Sequence, residues 1–460
     1  MQLCSAIGTR RRLLFCVATL SILLFLLHCF LLLNSSNSTS SPTASEEPSV
    51  SNTTAVEIVD RINIDNNYSS CESSEPPVLK VYMYDLPPEF HFGLLGWKGR
   101  RRNQTWPDVA DAGRVPSYPG GLNLQHSAEY WLTLDLLLSN SPGRACRPGR
   151  GGAALRVSDP GLADVVFVPF FASVSYNRHS GLRGKGEAGR DGALQRELVR
   201  FLRGREEWRR RGGRDHVVVA HHPNSMLEAR RKLGPAVFVL ADFGRYPAEI
   251  ANLDKDVVAP YMHVVASVGE ESKPFEGRPI LVYFQGAIYR KDNGIIRQQL
   301  YQLLRDKKDV HFTYGSARGN GIRRAGQGMA SSRFCLSIAG DTPSSNRLFD
   351  AIASHCVPVV VSDDIELPFE DVLDYSEFAV FVRAADAVRE GFLLDLLRGI
   401  SREEWTGMWR KLRSVAHHFE YRFPSREGDA VQMIWEAVAR KLPPLRFKIN
   451  KERRFLRNYR

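Results

Sequence analysis

The chain has 460 residues, 43% of them apolar and 25% charged, with a formal net charge of +11. That apolar content excludes a disordered chain, and seven cysteines in so long a sequence exclude a disulfide scaffold. The basic balance favours anionic partners, and no basic motif interleaved with aromatics points to nucleic acid.

Arg10, Arg11 and Arg12 precede an uncharged run over 13–33. At about 1.5 Å per helical residue this run spans roughly 31 Å, the depth of a bilayer's hydrocarbon core. It reads as a transmembrane signal anchor, being longer than the apolar part of a cleaved signal peptide, and Asn34-Ser35-Ser36 makes a poor cleavage site. Basic residues stay cytosolic, so 1–12 is a cytosolic tail and the chain after Leu33 is luminal, a single-pass type II topology. Residues 34–77 are rich in Ser, Thr, Asn and Pro and read as a disordered luminal stem. N-glycosylation sequons stand at Asn34, Asn37, Asn52, Asn67 and Asn103; the first two lie close to the membrane, which leaves Asn52, Asn67 and Asn103 as the expected sites.

From residue 78 onward the chain is longer than one core usually holds, so two domains are expected. Apolar runs at 78–84, 165–171, 216–220 and 237–241 predict buried strands, with helical periodicity over 127–138 and 194–208. The polar stretch 266–278 marks the boundary. The pattern then repeats, with strands at 280–285, 310–314, 334–338, 357–362 and 379–382 and helices near 293–305, 345–355 and 401–418. Such alternation predicts an α/β chain with a parallel sheet in each half, 78–270 and 271–425. A final helix near 427–442 crosses back to the first half, within a C-terminal helix and basic tail at 426–460. Cys335 and Cys356 flank one strand–helix–strand unit, either as a disulfide or as two small buried hydrophobes.

The stretch GDTPSSNRLFDAI, starting at Gly340, is a turn at a strand's carboxyl end leading into a helix N-terminus. Free N–H groups and the helix dipole converge there with the hydroxyls of Ser344 and Ser345 and the guanidinium of Arg347, an arrangement suited to a diphosphate, though by itself it is more often an ordinary capped helix with a surface arginine. Glu366, in SDDIELPFED, follows the next strand and could accept ribose hydroxyls or serve as a solvated acid. Asp254-Lys255-Asp256 spells the metal signature of a different fold and reads as a solvated turn.

FCLSIAGDTPSSNRLFDAIASHCVPVVVSDDIELPFEDVLDY, together with KVYMYDLPPEF, RVSDPGLADVVFVPFF, GRDHVVVAHHPN and LVYFQGAIYRKDNGIIRQQL, resembles the exostosin (GT47) glycosyltransferases, most closely the plant Golgi arabinosyltransferases of pectic arabinan synthesis. The resemblance implies a GT-B fold, two Rossmann-like domains facing a cleft, with the acceptor on the first and a nucleotide sugar on the second. Carried over by motif, Gly340, Ser344, Ser345 and Arg347 meet the diphosphate, Glu366 the ribose, and Gly286 and Arg290 belong to another donor-side motif. Two departures are Ile338 where the pattern has Pro, and AHHPN where a His-Asp pairing is more common. The implied reaction is inverting transfer of a sugar, L-arabinose in the first instance, from a UDP-sugar to a cell-wall polysaccharide. It needs no metal, because Arg347 and the helix dipole take the leaving-group charge. Xylosyl, galactosyl or glucuronosyl transfer, or a non-catalytic partner subunit of a Golgi transferase complex, are the alternatives, with homo- or hetero-oligomers in view. A base must deprotonate the acceptor hydroxyl, and the candidates are Glu129, His126 and His221 (with its neighbour His222).

Overall fold

The computed structural model describes residues 79–101, 103–139, 152–180, 189–243, 246–290 and 294–456. The expected anchor and stem, with Asn52 and Asn67, lie outside these residues. Among the described residues no helix is long and apolar enough to cross a membrane.

Two parallel sheets form the frame. The first contains β1 (Leu79–Met83), β2 (Ala154–Val157), β3 (Val165–Val168), β4 (His216–Val219), β5 (Val237–Leu240) and β6 (Val257–Val258), in the order β2-β1-β3-β4-β5-β6. The second contains β7 (Ile280–Gly286), β8 (Val310–Tyr314), β9 (Ser332–Ile338), β10 (Val357–Val361) and β11 (Val380–Phe381), in the order β11-β10-β9-β7-β8. Central strands such as VVFV in β3 and VFVL in β5 are buried along their whole length, as expected for β-branched runs in a sheet covered on both faces. Counted within each half, both sheets run 2-1-3-4-5, and the first adds β6 beyond β5. The strand order therefore reverses between β1 and β3 in the first and between β7 and β9 in the second. A doubly wound sheet opens its ligand crevice at that reversal, beyond the strands' carboxyl ends.

The helices are α1 (Ala128–Ser139), α2 (Ala172–His179), α3 (Arg190–Gly204), α4 (Glu206–Arg211), α5 (Ile295–Leu304), α6 (Gly321–Ala330), α7 (Asn346–Ala353), α8 (Phe392–Gly399), α9 (Arg402–Val415) and α10 (Ala430–Leu456), with shorter turns between. Several expectations need correction. The strand expected over 165–171 stops at Val168, because Pro169 has no N–H to give the ladder, and Phe170 and Phe171 are buried in the turn into α2. The helix expected over 194–208 is two helices, broken where Arg205 turns extended with ψ 147°. Helix α10 is longer than 427–442 and runs on through Pro443 and Pro444. Strands β2 and β6 and helices α2, α6 and α8 were not legible as elements.

Helix α10 returns to the first sheet, where Trp435 packs edge-on against Phe167 of β3 at 5.6 Å between ring centroids. Gln432 accepts from the backbone N–H of Ala153 beside β2, and Arg446 pairs with Asp164 at 2.5 Å. One apolar cluster joins Val81, Phe167 and Val219 of the first sheet with Trp435 and Val438 of α10 and with Leu348 and Phe349 of α7, so the two halves share a core.

Candidate active site

The reversal between β7 and β9 brings the ends of those strands side by side. Gly286 ends β7 and Gly340 lies two residues beyond β9. Both glycines are dictated by close approach. A Cβ on Gly286 would sit 2.1 Å from Nη2 of Arg347, and one on Gly340 would sit 2.7 Å from Nη2 of Arg297. Each guanidinium occupies the space that a side chain at the glycine would fill.

Arg347 stands in the first turn of α7, whose N-cap Ser345 accepts from the Arg347 N–H at 3.4 Å and from its Nη1 at 3.3 Å. Its Nε donates to Gln285 O at 3.0 Å, and its guanidinium lies 5.1 Å from the Phe284 ring centroid. Burial pulls its pKa down to about 10, which still leaves it cationic at neutral pH. Arg297, on the helix that follows β7, bridges both strand ends: it donates to Ala339 O at 3.0 Å, Ala287 O at 3.1 Å and Ile338 O at 2.6 Å. Burial, then the neighbouring charges of Arg347 and Arg290, lower its pKa to about 9. Arg290 pairs with Asp341 at 2.9 Å on the rim. One buried guanidinium (Arg297) and one half-buried one (Arg347), bonded to carbonyls and a hydroxyl, with a third at the rim, give the crevice a positive field against the carboxylates of Asp341 at the rim and Asp350 behind. Such a field suits a doubly charged diphosphate.

Two cavities open here and share Gln125, Arg290, Asn346 and Arg347. One, of about 240 Å³, reaches over Gly286, Gly315 and Ser316 toward Asp350. Asp350 is buried, and its carboxylate accepts from Val264 N at 2.7 Å, Val265 N at 3.3 Å and Asn346 Nδ2 at 2.9 Å, which ties the segment between the sheets to α7. The other, of about 280 Å³, lies between the Gly340–Ser345 turn and His126, His222 and Tyr261 of the first half.

Ser344 is engaged differently from the sequence expectation. Its hydroxyl donates to Asp242 Oδ2 at 2.7 Å, so the 2.9 Å bond with Tyr261 is donated by the tyrosine. The serine ties the Gly340–Ser345 turn to the opposite half, with its proton committed there. Glu366 lies half-buried in the turn after β10 and lines neither cavity; burial, then Glu370, raises its pKa. The structure thus gathers Gly286, Arg290, Gly340, Ser344, Ser345 and Arg347, and leaves Glu366 apart.

In the first half, His126 and His221 are buried and joined Nδ1 to Nδ1 at 2.9 Å, and the His222 ring stands 4.6 Å from that of His126. Glu129 is fully buried in α1. Its carboxyl accepts from Ser173 N at 3.0 Å and Ser173 Oγ at 3.2 Å, with Tyr118 Oη at 3.5 Å; burial pushes its pKa up to about 8, and it lines neither cavity. The Asp254-Lys255-Asp256 turn is not simply solvated. Asp256 is buried, accepting from Phe238 N at 2.7 Å and Asn252 N at 2.9 Å, with Lys255 Nζ 2.7 Å away, so this carboxylate closes a loop. Cys335 and Cys356 are bonded, with Cα atoms 5.8 Å apart, and Asn103 is exposed.

Sequence reasoning missed Arg297, Asp350, Asn346 and Tyr261. Arg297, Asn346 and Asp350 all stand in the motifs quoted above, but Arg297 reads as one more helix-face arginine until the strand order puts its helix beneath Gly340.

Two parallel doubly wound sheets with an arginine-lined crevice at a strand-order reversal define an α/β glycosyltransferase-like protein. The chain belongs to the exostosin GT47 family, whose domain matches residues 75–397. It is 41% identical over 385 residues to the probable arabinosyltransferase ARAD1 of Arabidopsis thaliana, covering 83% of each chain. It is 26% identical over 388 residues to the probable glucuronoxylan glucuronosyltransferase IRX7 of the same plant, covering 79% of this chain and 77% of the other. Among solved structures, a glycosyltransferase from Rickettsia africae ESF-5 is similar over 80% of this chain and 99% of its own, with 8% identity and a TM-score of 0.34.

Proposed function

We propose that the protein is an inverting, UDP-sugar-dependent glycosyltransferase of GT-B architecture that adds L-arabinose to a cell-wall polysaccharide such as pectic arabinan. The observation that carries this reading is the convergence of Arg290, Arg297 and Arg347 on the β7/β9 crevice, opposite a cluster of imidazoles across one cleft. The likeness to an arabinosyltransferase supports the sugar, and the lesser likeness to a glucuronosyltransferase keeps glucuronic acid as the second donor to test. Residues 271–425 bind the nucleotide sugar and 78–270 the acceptor, with 426–460 closing the first half. The chain is a type II Golgi membrane protein, with a cytosolic tail at 1–12, an anchor at 13–33 and a luminal stem at 34–77.

In this reading the acceptor hydroxyl attacks the anomeric carbon from the first half while the bond to the diphosphate breaks. The leaving electron pair ends on a phosphate oxygen facing Arg347, Arg297 and the N-terminus of α7. Preorganised charge of this kind stabilises the departing group with no metal in the step. The test uses the full-length chain in detergent, assayed for UDP release from a panel of UDP-sugars with and without arabinan, galactan and xylan oligosaccharides. Acceptor-dependent turnover of UDP-arabinofuranose, lost in Arg347→Ala, is expected. Turnover of UDP-glucuronic acid in its place would change the donor, and no turnover with any pair would leave a non-catalytic subunit.

A further inference from the structure

We propose that Nε2 of His126 is the base that takes the acceptor's proton, and that His221 is a positioning residue that keeps this nitrogen bare. The proposal rests on the glycosyl-transfer reading above and decides among the candidate bases by counting ring protons.

His221 fixes the proton positions of the pair. Its Nε2 lies 3.2 Å from Ala259 O, and a carbonyl oxygen only accepts, so the proton of this ring is on Nε2. Burial pulls the pKa of His221 down to about 4, so the ring is neutral and its Nδ1 is a lone pair. The 2.9 Å contact between the two Nδ1 atoms then has one solution: His126 donates and His221 accepts. Burial, reinforced by His221 and His222, also lowers the pKa of His126 well below the ordinary imidazole value. With its single proton on Nδ1, its Nε2 is an unprotonated lone pair, which has no hydrogen-bond partner among the described residues. His126 lines the cavity shared with Gly340 and Arg347.

The same count removes the other candidates. The Nδ1 of His222 accepts from Asn224 N at 3.1 Å, so its neutral ring carries the proton on Nε2 and offers a donor. His221 does not line the cavity and acts through His126. Glu129 lies one layer behind. The Tyr118 hydroxyl beside it reaches His126 O at 3.1 Å, and Ser173 Oγ, bonded to its carboxyl, accepts from His222 N at 3.2 Å. It braces the backbone that carries both imidazoles.

The step balances. The acceptor O–H bond breaks and its proton moves to Nε2 of His126; the oxygen forms its bond to the anomeric carbon as the carbon–oxygen bond to the diphosphate breaks. The resulting imidazolium keeps its Nδ1–H bond to His221. It faces His221, His222 and Tyr261 on its own side and Arg290, Arg297, Arg347 and Asp341 across the cavity, where the diphosphate supplies the compensating negative charge.

Two readouts test this on the full-length protein. Histidine-specific ¹⁵N labelling, with His126→Gln to assign the signal, reads the tautomer: the neutral His126 ring is expected to carry its proton on Nδ1. In acceptor-dependent transfer, His126→Gln is expected to lower kcat by about a hundredfold or more, within the range of a general base, with UDP affinity unchanged. His221→Leu is expected to lower kcat about tenfold and to move the acid limb of the pH–rate profile, while His221→Asn, which keeps an acceptor at the Nδ1 position, recovers most of that loss. A proton on Nε2 of the neutral ring, or His126→Gln with kcat within threefold of the parent, overturns the proposal. If the unsubstituted protein transfers no sugar at all, the glycosyl-transfer reading falls and the base role with it, whereas transfer that survives His126→Gln removes the base alone.

Discussion

Replacing Gly286 by alanine isolates the contribution of Arg347 without touching that residue. The added methyl would sit 2.1 Å from Nη2, 2.4 Å from Cζ and 2.4 Å from Nε of Arg347, so the guanidinium has to leave its place over the end of β7. The far end of an arginine can swing away, so the fold survives; what is lost is the 3.0 Å bond from Nε to Gln285 O and the aim of the charge into the crevice. A charge-assisted hydrogen bond is worth about 1.5–3 kcal/mol, which corresponds to a roughly 10- to 150-fold loss in kcat/KM and a similar weakening of UDP binding. Calorimetric titration with UDP and steady-state transfer kinetics measure both effects, and thermal unfolding checks that the protein is intact. Gly399→Ala is the matched control, since a Cβ there meets nothing within 4 Å. Gly286→Ala with UDP affinity and kcat/KM within twofold of the parent would falsify the link between this glycine, the guanidinium and the diphosphate.

Other consequences follow from the interior. Substituting both Cys335 and Cys356 by alanine opens a link across a sequence separation of 21 residues, and chain entropy assigns such a loop about 3 kcal/mol; chemical denaturation under non-reducing conditions should record at least that loss. Ser344→Ala removes the 2.7 Å hydrogen bond to the Asp242 carboxylate and should lower unfolding stability by about 1.5–3 kcal/mol. A smaller change in denaturant midpoint than in Gly399→Ala would refute the tie between the halves. Asp429 accepts from the N–H groups of Arg426, Val431 and Gln432, yet burial pushes its pKa up to about 6. A raised carboxyl pKa stabilises the fold fully below the ordinary value and loses that contribution as pH climbs through 6. The parent should therefore lose about 3 kcal/mol relative to Asp429→Asn between about pH 3.5 and pH 7, and parallel stability curves for the two proteins would contradict this.

The frame of the fold was legible because its strands are short, continuous apolar runs separated by polar turns. The elements that escaped had their patterns set by neighbours. Helix α6 has the sequence GIRRAGQGMA, in which glycines mask the helical period; Gly328 is required because a Cβ there would come within 2.2 Å of the Tyr283 ring. Strand β2 is a partly exposed edge, and β6 is two residues long, too short to give a period. In the cleft, the turn-helix motif could be read locally, because a cap, a dipole and an arginine lie within eight residues. Arg297 and Asp350 could not, since their meaning comes from the order of the strands and from the segment joining the sheets. The protonation of the imidazoles depends on Ala259 O, a backbone atom that no motif records.

Helix α10 is the last described element in chain order, yet it covers β1 and β3, among the first to emerge. A nascent chain therefore carries the whole second half to completion while one face of its first sheet still lacks Trp435 and Val438. The first half is finished last, by residues made after the β7/β9 crevice is already complete, so a chain cut short by thirty residues loses the integrity of its beginning while its middle remains complete.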